Sequence, residues 1–139
     1  MPHADILLIE DDDVLCDLVK RNLQARGYAV HTASDAEHAL VSLRRQPYDL
    51  VILDINLPDH TGWDVLRYAQ QEGIMSLRNL DDQQQVLPVV VLSAVRVNIR
   101  HLSEFRPLAY LPKPFPMDAL LRIAAETAAR KLEQTVADQ

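Results

Sequence analysis

Two short apolar runs of this 139-residue chain end in carboxylates. Residues 6–9 are followed by Glu10 and Asp11, and residues 50–53 are followed by Asp54. Nearly continuous apolar runs of this length are typical of strands that are covered on both faces. In open parallel sheets the carboxyl ends of the strands form the rim where ligands bind, so we expect the three carboxylates at that rim.

Three carboxylates brought together in this way need a compensating charge. A single pair about 4 Å apart is destabilised by about 4 kcal/mol at an effective dielectric constant near 20. A divalent cation removes this repulsion, and hard oxygen ligands favour Mg²⁺, or Mn²⁺, over zinc. The five histidines are scattered without metal-ligand spacing. We therefore predict a magnesium site at Glu10, Asp11 and Asp54, whereas Asp12 and Asp13 are expected at the N-terminus of a helix.

A hydroxyl and an ammonium group are predicted at the same rim. Ser93 ends a third apolar run, at residues 89–92, and Lys113 follows a fourth, at residues 108–111. A phosphoryl group is stabilised by a hydroxyl donor to one oxygen and a positive charge near another. The rim is therefore suited to phosphoryl chemistry.

Alternating strand-like and helical segments predict the frame that positions these residues. Strands are expected at 5–10, 28–33, 49–54, 89–93 and 108–111. Helices are expected at 14–26, 36–46, 63–71 and 95–105 and from 117 nearly to the end, with 74–87 as a loop or short helical extension. The last helix should pack through Leu121, Ala124, Ala128 and Leu132. Five strands alternating with helices indicate a doubly wound α/β fold with a parallel sheet.

The composition indicates one globular domain. The chain is 48% hydrophobic and 24% charged, which is ordinary for a folded protein of this length. A formal charge of −6 and a pI near 5.2 argue against a direct nucleic-acid surface. The lone Cys16 cannot form an internal disulfide, and the sequence has no membrane-span-length apolar run and no signal peptide. The expected location is the cytoplasm.

Five parts of the sequence together resemble the receiver domain of two-component response regulators. They are Ile9-Glu10-Asp11-Asp12, Leu53-Asp54-Ile55-Asn56-Leu57-Pro58, Gly62, Leu92-Ser93-Ala94 and Tyr110-Leu111-Pro112-Lys113-Pro114-Phe115. No single part is decisive, but their order and register are specific, and they span nearly the whole chain. The resemblance implies a flavodoxin-like, five-stranded parallel sheet of order 2-1-3-4-5 with helices on both faces. It also implies one receiver domain over 1–139, with a core of about 1–126 and a C-terminal helix extension or linker start at 127–139.

The resemblance assigns a role to each residue at the rim. Asp54 is implied to be the phosphoacceptor, and Mg²⁺ (with Mn²⁺ as the other option) is implied to be held by Glu10, Asp11, Asp54 and the main-chain carbonyl of Asn56. Lys113 is implied to pair with the phosphoryl group and to precede a cis peptide bond to Pro114. Ser93 matches the switch hydroxyl, and Tyr110 matches the aromatic residue that turns inward on phosphorylation.

The implied function is a phospho-accepting receiver that switches a partner-binding face. The phosphoryl group would come from a histidine kinase or phosphotransfer protein. The sequence does not identify the downstream protein target. No enzyme activity is expected beyond the chain's own phosphorylation and dephosphorylation. Two alternatives are an adaptor that works without phosphorylation and a Mg²⁺-dependent phosphohydrolase. The second is weaker because such enzymes need a second acid two residues after the nucleophile, where this chain has Asn56.

The chain departs from the family pattern in two places. The segment between Gly62 and Ser93 is long, with the excess at 74–87, and the segment between Ser93 and Lys113 is short. The fourth helix is therefore expected to be short, shifted or poorly ordered. A homodimer is one option for the chain, but the dimer geometry usual in the family is not carried over to it. Trp63 has two interpretations, helix packing or contact with a partner beside the site.

Overall fold

The computed structural model of the chain describes residues 4–74 and 87–137, and the side chains of 4–74 and 87–133. In chain order the elements are β1 (Asp5–Ile9), α1 (Asp13–Gln24), β2 (Ala29–Ala33), α2 (Ala36–Arg45), β3 (Leu50–Asp54), α3 (Gly62–Gln71), β4 (Val89–Ser93), α4 (Ile99–Phe105), β5 (Ala109–Pro112) and α5 (Met117–Ala137). The five strands form one sheet of order β2-β1-β3-β4-β5, and every neighbouring pair is parallel. The predicted doubly wound fold and its strand order are confirmed.

The central strands are covered on both faces, as their continuous apolar sequences predict. In β3, Val51 and Leu53 belong to one hydrophobic cluster, and Leu50 and Ile52 belong to the other. All five residues of β3 and all five of β4 are buried. Alternate residues of a strand point to opposite faces, so a strand between two helical layers must be apolar at every position until it reaches the rim.

The strand register brings the predicted site residues to one edge of the sheet. Ile9, the last residue of β1, lies beside Leu53, so Glu10 and Asp54 follow at the same level. Ser93, the last residue of β4, lies beside Pro112 in β5. The residues that follow β1 and β5 and those that end β3 and β4 therefore share the carboxyl-terminal rim.

Side chains at the helix N-termini fix where α1 and α3 begin. Asp12 accepts hydrogen bonds from the amides of Val14 and Leu15 at 3.0 and 3.1 Å, as expected for its position at the start of α1. Thr61 caps α3, and its hydroxyl and the carboxylate of Asp64 form a reciprocal capping box. This cap starts α3 at Gly62, one residue before the predicted start.

Helix α4 is short, which agrees with one of the three expectations for this segment. The helical pattern at 95–105 predicts a longer helix, but only Ile99–Phe105 is helical. Asn98 accepts a hydrogen bond from the Arg100 amide at 2.9 Å and so starts the helix late. Most of the predicted loop or helical extension at 74–87 lies outside the described residues.

The predicted apolar stripe of α5 is correct for three positions and wrong for the fourth. Leu121, Ala124 and Ala128 are buried, whereas Leu132 is 49% exposed. The Lys131 ammonium group lies 2.9 Å from a carboxylate oxygen of Asp49, which immediately precedes β3. By this point α5 has reached the amino-terminal end of the strands, so the next turn has no sheet to cover.

Within the described ranges, none of the helices combines the length and the apolar character needed to cross a bilayer.

Truncating two leucines of α5 should show where the packed part of this helix ends. We expect Leu121→Ala to lower the free energy of unfolding by about 2–5 kcal/mol because it leaves a cavity in the core. Leu132→Ala should change it by less than about 0.5 kcal/mol because this side chain is half exposed. Urea denaturation followed by circular dichroism measures both values, and an equal loss in the two variants would contradict the assignment.

Candidate functional site

Three carboxylates meet at the rim formed by the ends of β1 and β3. Glu10 and Asp54 are each 2% exposed, whereas Asp11 is exposed. One carboxylate oxygen from each residue can be chosen so that the three oxygens lie within 4.8 Å of one another. These are the three side chains that the sequence predicts at a metal site.

The ammonium group of Lys113 joins the two buried carboxylates. Its Nζ lies 2.6 Å from Oε1 of Glu10 and 3.2 Å from Oδ2 of Asp54. The Lys113 main-chain N–H donates to the carbonyl of Ser93 at 2.8 Å, which continues the pairing of β5 with β4. The peptide bond between Lys113 and Pro114 is cis, as the family resemblance implies.

The three charges shift one another's ionisation. The pKa of Glu10 is raised to about 8, mainly by burial and then by the hydrogen bond with Asp54, and Lys113 offsets only part of this rise. Burial also acts to raise the pKa of Asp54, but hydrogen bonds from Glu10, the Asn56 amide and Lys113 bring it below its ordinary value. Burial acts to lower the pKa of Lys113, and its contacts with Glu10 and Asp54 outweigh this effect. Burial and the nearby Asp54 therefore favour a proton on Glu10 at pH values well above those at which an ordinary glutamate ionises.

The donor set fits a hard divalent cation. The cluster offers only carboxylate oxygens, which suit Mg²⁺ and Mn²⁺ rather than zinc. Burial, the largest cause, and the neighbouring Asp54 disfavour a second negative charge at the rim, and a proton on Glu10 relieves this. A divalent cation in contact with these oxygens would replace that proton.

The loop after β3 holds Asp54 from the other side. The Asn56 amide donates to Oδ1 of Asp54 at 3.0 Å, and the Gly62 amide donates to the Ile55 carbonyl at 2.8 Å. A β-carbon on Gly62 would lie 2.7 Å from the Asp54 carbonyl oxygen, closer than real contacts allow. Glycine is therefore required here by the close approach of the α3 N-terminus to the backbone of Asp54.

Ser93 and Tyr110 meet at a shared acceptor that the sequence does not reveal. The buried Ser93 hydroxyl donates to the Val95 carbonyl at 2.7 Å and accepts from the Val95 amide at 3.1 Å. The half-buried Tyr110 hydroxyl donates to the same Val95 carbonyl at 3.3 Å. The two residues that the resemblance names as switch positions are thus joined through one main-chain oxygen.

Trp63, the only tryptophan in the sequence, packs against α4. Its ring is stacked on those of His101 and Phe105, with centroid distances of 4.8 and 5.6 Å, and the residue is 5% exposed. Of its two interpretations, helix packing is the one that the structure supports.

Comparison with known proteins identifies the family of this fold and site. The family described as response regulator receiver domain matches residues 6–125. The chain belongs to this family. The match runs from the second residue of β1 into the first part of α5, so the receiver domain includes every residue of the candidate site.

Curated relatives of this receiver domain are regulators of transcription. It is 38% identical over 138 residues to the transcriptional regulatory protein KdpE of Mycobacterium tuberculosis, covering 94% of this chain and 56% of that protein. It is 35% identical over 131 residues to the transcriptional activator protein PfeR of Pseudomonas aeruginosa, covering 88% of this chain and 39% of that protein. The chain thus spans about half the length of these relatives or less.

Solved receiver structures share the fold. The response regulator protein TrrA of Thermotoga maritima, in complex with Mg²⁺ and BeF, is 27% identical, with a TM-score of 0.71 and coverage of 89% of this chain and 98% of that one. The receiver domain of Francisella response regulator 1452 is 24% identical, with a TM-score of 0.76 and coverage of 92% and 98%.

The raised pKa of Glu10 predicts that, without a bound cation, the free energy of unfolding decreases as the pH rises. The folded-state pKa of Glu10, about 8, lies above the ordinary value of 4.5, so the folded state binds more protons between these pH values. The free energy of unfolding should therefore decrease from about pH 4.5 to about pH 8, by at most about 1.4 kcal/mol per pH unit. Glu10→Gln should flatten this dependence because it cannot titrate. Urea denaturation in EDTA at several pH values measures the slope, and an unchanged slope in Glu10→Gln would refute the assignment.

Proposed function

We propose that this receiver domain takes a phosphoryl group onto Asp54 and uses the modification to switch a partner-binding face. The observation that carries the proposal is the contact of Lys113 with the buried carboxylates of Glu10 and Asp54, with Asp11 beside them. It is the arrangement that an acyl phosphate needs, with a carboxylate nucleophile, a positive charge and a set of oxygen ligands at one rim.

The residues of the chain act in defined ways in the proposed transfer. An oxygen of Asp54 forms a bond to the phosphorus of a phosphohistidine, while the bond from phosphorus to the histidine nitrogen breaks and the leaving imidazole takes up a proton. Lys113 and the Asn56 amide hold the carboxylate in place, and Lys113 offsets the charge that the phosphoryl oxygens bring. Mg²⁺ would supply further charge neutralisation, held by Glu10, Asp11, Asp54 and the main-chain carbonyl of Asn56.

The proposed switch begins at Ser93. Its single hydroxyl proton is donated to the Val95 carbonyl and must be redirected if Ser93 is to donate to a phosphoryl oxygen. Val95 then loses one of the two hydroxyl groups that hold its carbonyl, and Tyr110 provides the other. Phosphorylation at Asp54 would in this way alter the loop between β4 and α4 and the exposed side of Tyr110.

The proposed partners follow from the same chemistry. The donor is a histidine kinase or a phosphotransfer protein, and the downstream target is a protein that recognises the altered face. We also propose a cytoplasmic location, no direct nucleic-acid contact by this domain, and a receiver core that ends near residue 126, close to the end of the family match at 125. The rest of α5 would serve as a helical extension or as the start of a linker. A homodimer is compatible with the proposal but is not required by it.

Phosphorylation by acetyl phosphate tests the proposal. The intact mass should increase with Mg²⁺, should not increase with EDTA, and should not increase in Asp54→Asn. Lys113→Met should slow the reaction roughly 100-fold because it removes a charge that faces the reacting group. Lys131→Met is the matched control, since Lys131 pairs with Asp49 at the opposite end of the sheet, and it should react like the wild type.

Three results would contradict the proposal in different ways. A mass increase that persists in Asp54→Asn would place the phosphoryl group elsewhere. Normal partner binding by a chain that is not phosphorylated would favour the adaptor. Sustained turnover of small phosphate esters would favour the phosphohydrolase.

The Ser93 hydroxyl should be needed to transmit the change to Val95 and Tyr110. Addition of Mg²⁺ and fluoroberyllate should shift the amide resonances of Val95 and Tyr110 in the wild type. We expect clearly smaller shifts in Ser93→Ala, because no hydroxyl leaves the Val95 carbonyl. Ser103→Ala, on the exposed side of α4, is the control and should respond like the wild type. Full-size shifts in Ser93→Ala would rule out this route.

A further inference from the structure

Asp59 connects the loop after β3 to a helix that is distant in the sequence. Its Oδ1 accepts a hydrogen bond from the Ala36 amide at 2.9 Å, and its Oδ2 accepts one from the Glu37 amide at 3.2 Å. Both amides belong to the first turn of α2, where main-chain N–H groups have no partner within the helix. The hydrogen bond from the Ala36 amide holds the pKa of Asp59 below its ordinary value.

Helix α2 already has an N-cap of its own. Asp35 accepts a hydrogen bond from the His38 amide at 2.8 Å, as an N-cap residue does. Asp59 binds the two amides that Asp35 leaves, so its carboxylate is not a substitute for a missing cap. What it adds is a link between α2 and a second part of the chain.

The loop that carries Asp59 is closed at its base. The Gly62 amide donates to the Ile55 carbonyl, and Asn56 and Thr61 form an isolated antiparallel bridge. The base therefore contacts the backbone beside Asp54. The tip is hydrogen-bonded to α2 through Asp59, and the next residue, His60, packs its ring edge-on against Tyr68 of α3 at a centroid distance of 5.9 Å. Each attachment restricts the tilt of a short loop further, and Asp59 supplies the hydrogen bonds to α2.

Asn56 belongs to the base of this loop, three residues before Asp59. Its amide donates a hydrogen bond to Oδ1 of Asp54 at 3.0 Å. In the proposed function its main-chain carbonyl is a ligand of Mg²⁺. A tilt of the loop would move that amide and that carbonyl together, because both belong to the same short segment. The orientation of metal ligands commonly depends on residues that contact the ligands but not the metal itself.

We infer that Asp59 is a positioning residue for the magnesium site, acting through the loop that carries Asn56. The inference rests on the proposed function, since it concerns the same site. The inference adds to the proposed function that the N-terminus of α2, which contributes no proposed ligand, supports Mg²⁺ binding.

The test compares the loss of Asp59 with the loss of the helix's own cap. Asp59→Ala removes both hydrogen bonds to α2, Asp59→Asn keeps one acceptor oxygen, and Asp35→Ala removes a cap of the same helix without touching the loop. Isothermal titration with MgCl₂ gives the Kd of each variant, and thermal unfolding gives its Tm. We expect Asp59→Ala to weaken Mg²⁺ binding by roughly tenfold, at the low end of the usual effect of a supporting contact.

The two controls separate positioning from stability. Asp59→Asn should fall between the wild type and Asp59→Ala, whereas Asp35→Ala should lower the Tm and leave the Mg²⁺ affinity within about twofold. In metal-free protein, the Asn56 amide proton should exchange faster in Asp59→Ala than in Asp35→Ala. A lower Tm with wild-type affinity in Asp59→Ala would show a helix cap only and would overturn the inference.

The wild-type titration distinguishes the failure of this inference from that of the proposed function. If the wild type does not bind Mg²⁺, the proposed function fails and the inference falls with it. If the wild type binds Mg²⁺ and takes up phosphoryl from acetyl phosphate, but Asp59→Ala binds equally well, only the inference fails.

Discussion

The contact of one ammonium group with two buried carboxylates determines how the rim of this sheet is arranged. Glu10 and Asp54 are almost fully excluded from water, and such groups are tolerated only where opposite charge or a proton compensates them. Lys113 provides the charge, but it follows β5, which is separated from β3 by β4. Two strand spacings of about 4.8 Å each separate β5 from β3, and three separate it from β1, so the Lys113 side chain must pass over the end of β4 and the residue there has to be small. Ser93 meets this condition and also supplies a hydroxyl.

The features that the sequence predicts well are those set by strand ends. A continuous apolar run that stops at a polar residue marks both a buried strand and the point where it reaches the rim, so Glu10, Asp54 and Ser93 could be placed from the sequence. Parallel order then brings these ends together without any knowledge of side-chain contacts. The resemblance to receiver domains added the roles of Asn56 and Tyr110, which no periodicity reveals.

The features that the sequence does not predict are contacts set by main-chain atoms and by where the sheet stops. The Val95 carbonyl accepts from Ser93 and Tyr110, and nothing in the residue type of Val95 signals this. Asp59 is a turn residue by sequence, and its bond to α2 depends on the packing of two distant segments. Leu132 continues the helical period of α5, but the period does not reveal that the neighbouring Lys131 already contacts Asp49, just before β3 begins, and that Leu132 is half exposed.

The short α4 makes the region after β4 unevenly stiff. The helix is held to α3 by the stack of Trp63 on His101 and Phe105, with the Arg67 guanidinium 5.6 Å from the centre of the Phe105 ring. These contacts are on α4 itself, whereas residues 94–98 between β4 and α4 have no regular structure and include the exposed Val95. A force applied at the Val95 carbonyl would therefore deform this connecting segment first and move α4 only as far as the aromatic stack allows. In this receiver domain the response to Ser93 would then be greatest at residues 94–98 and at Tyr110, which contacts them, rather than in a displacement of the whole helix.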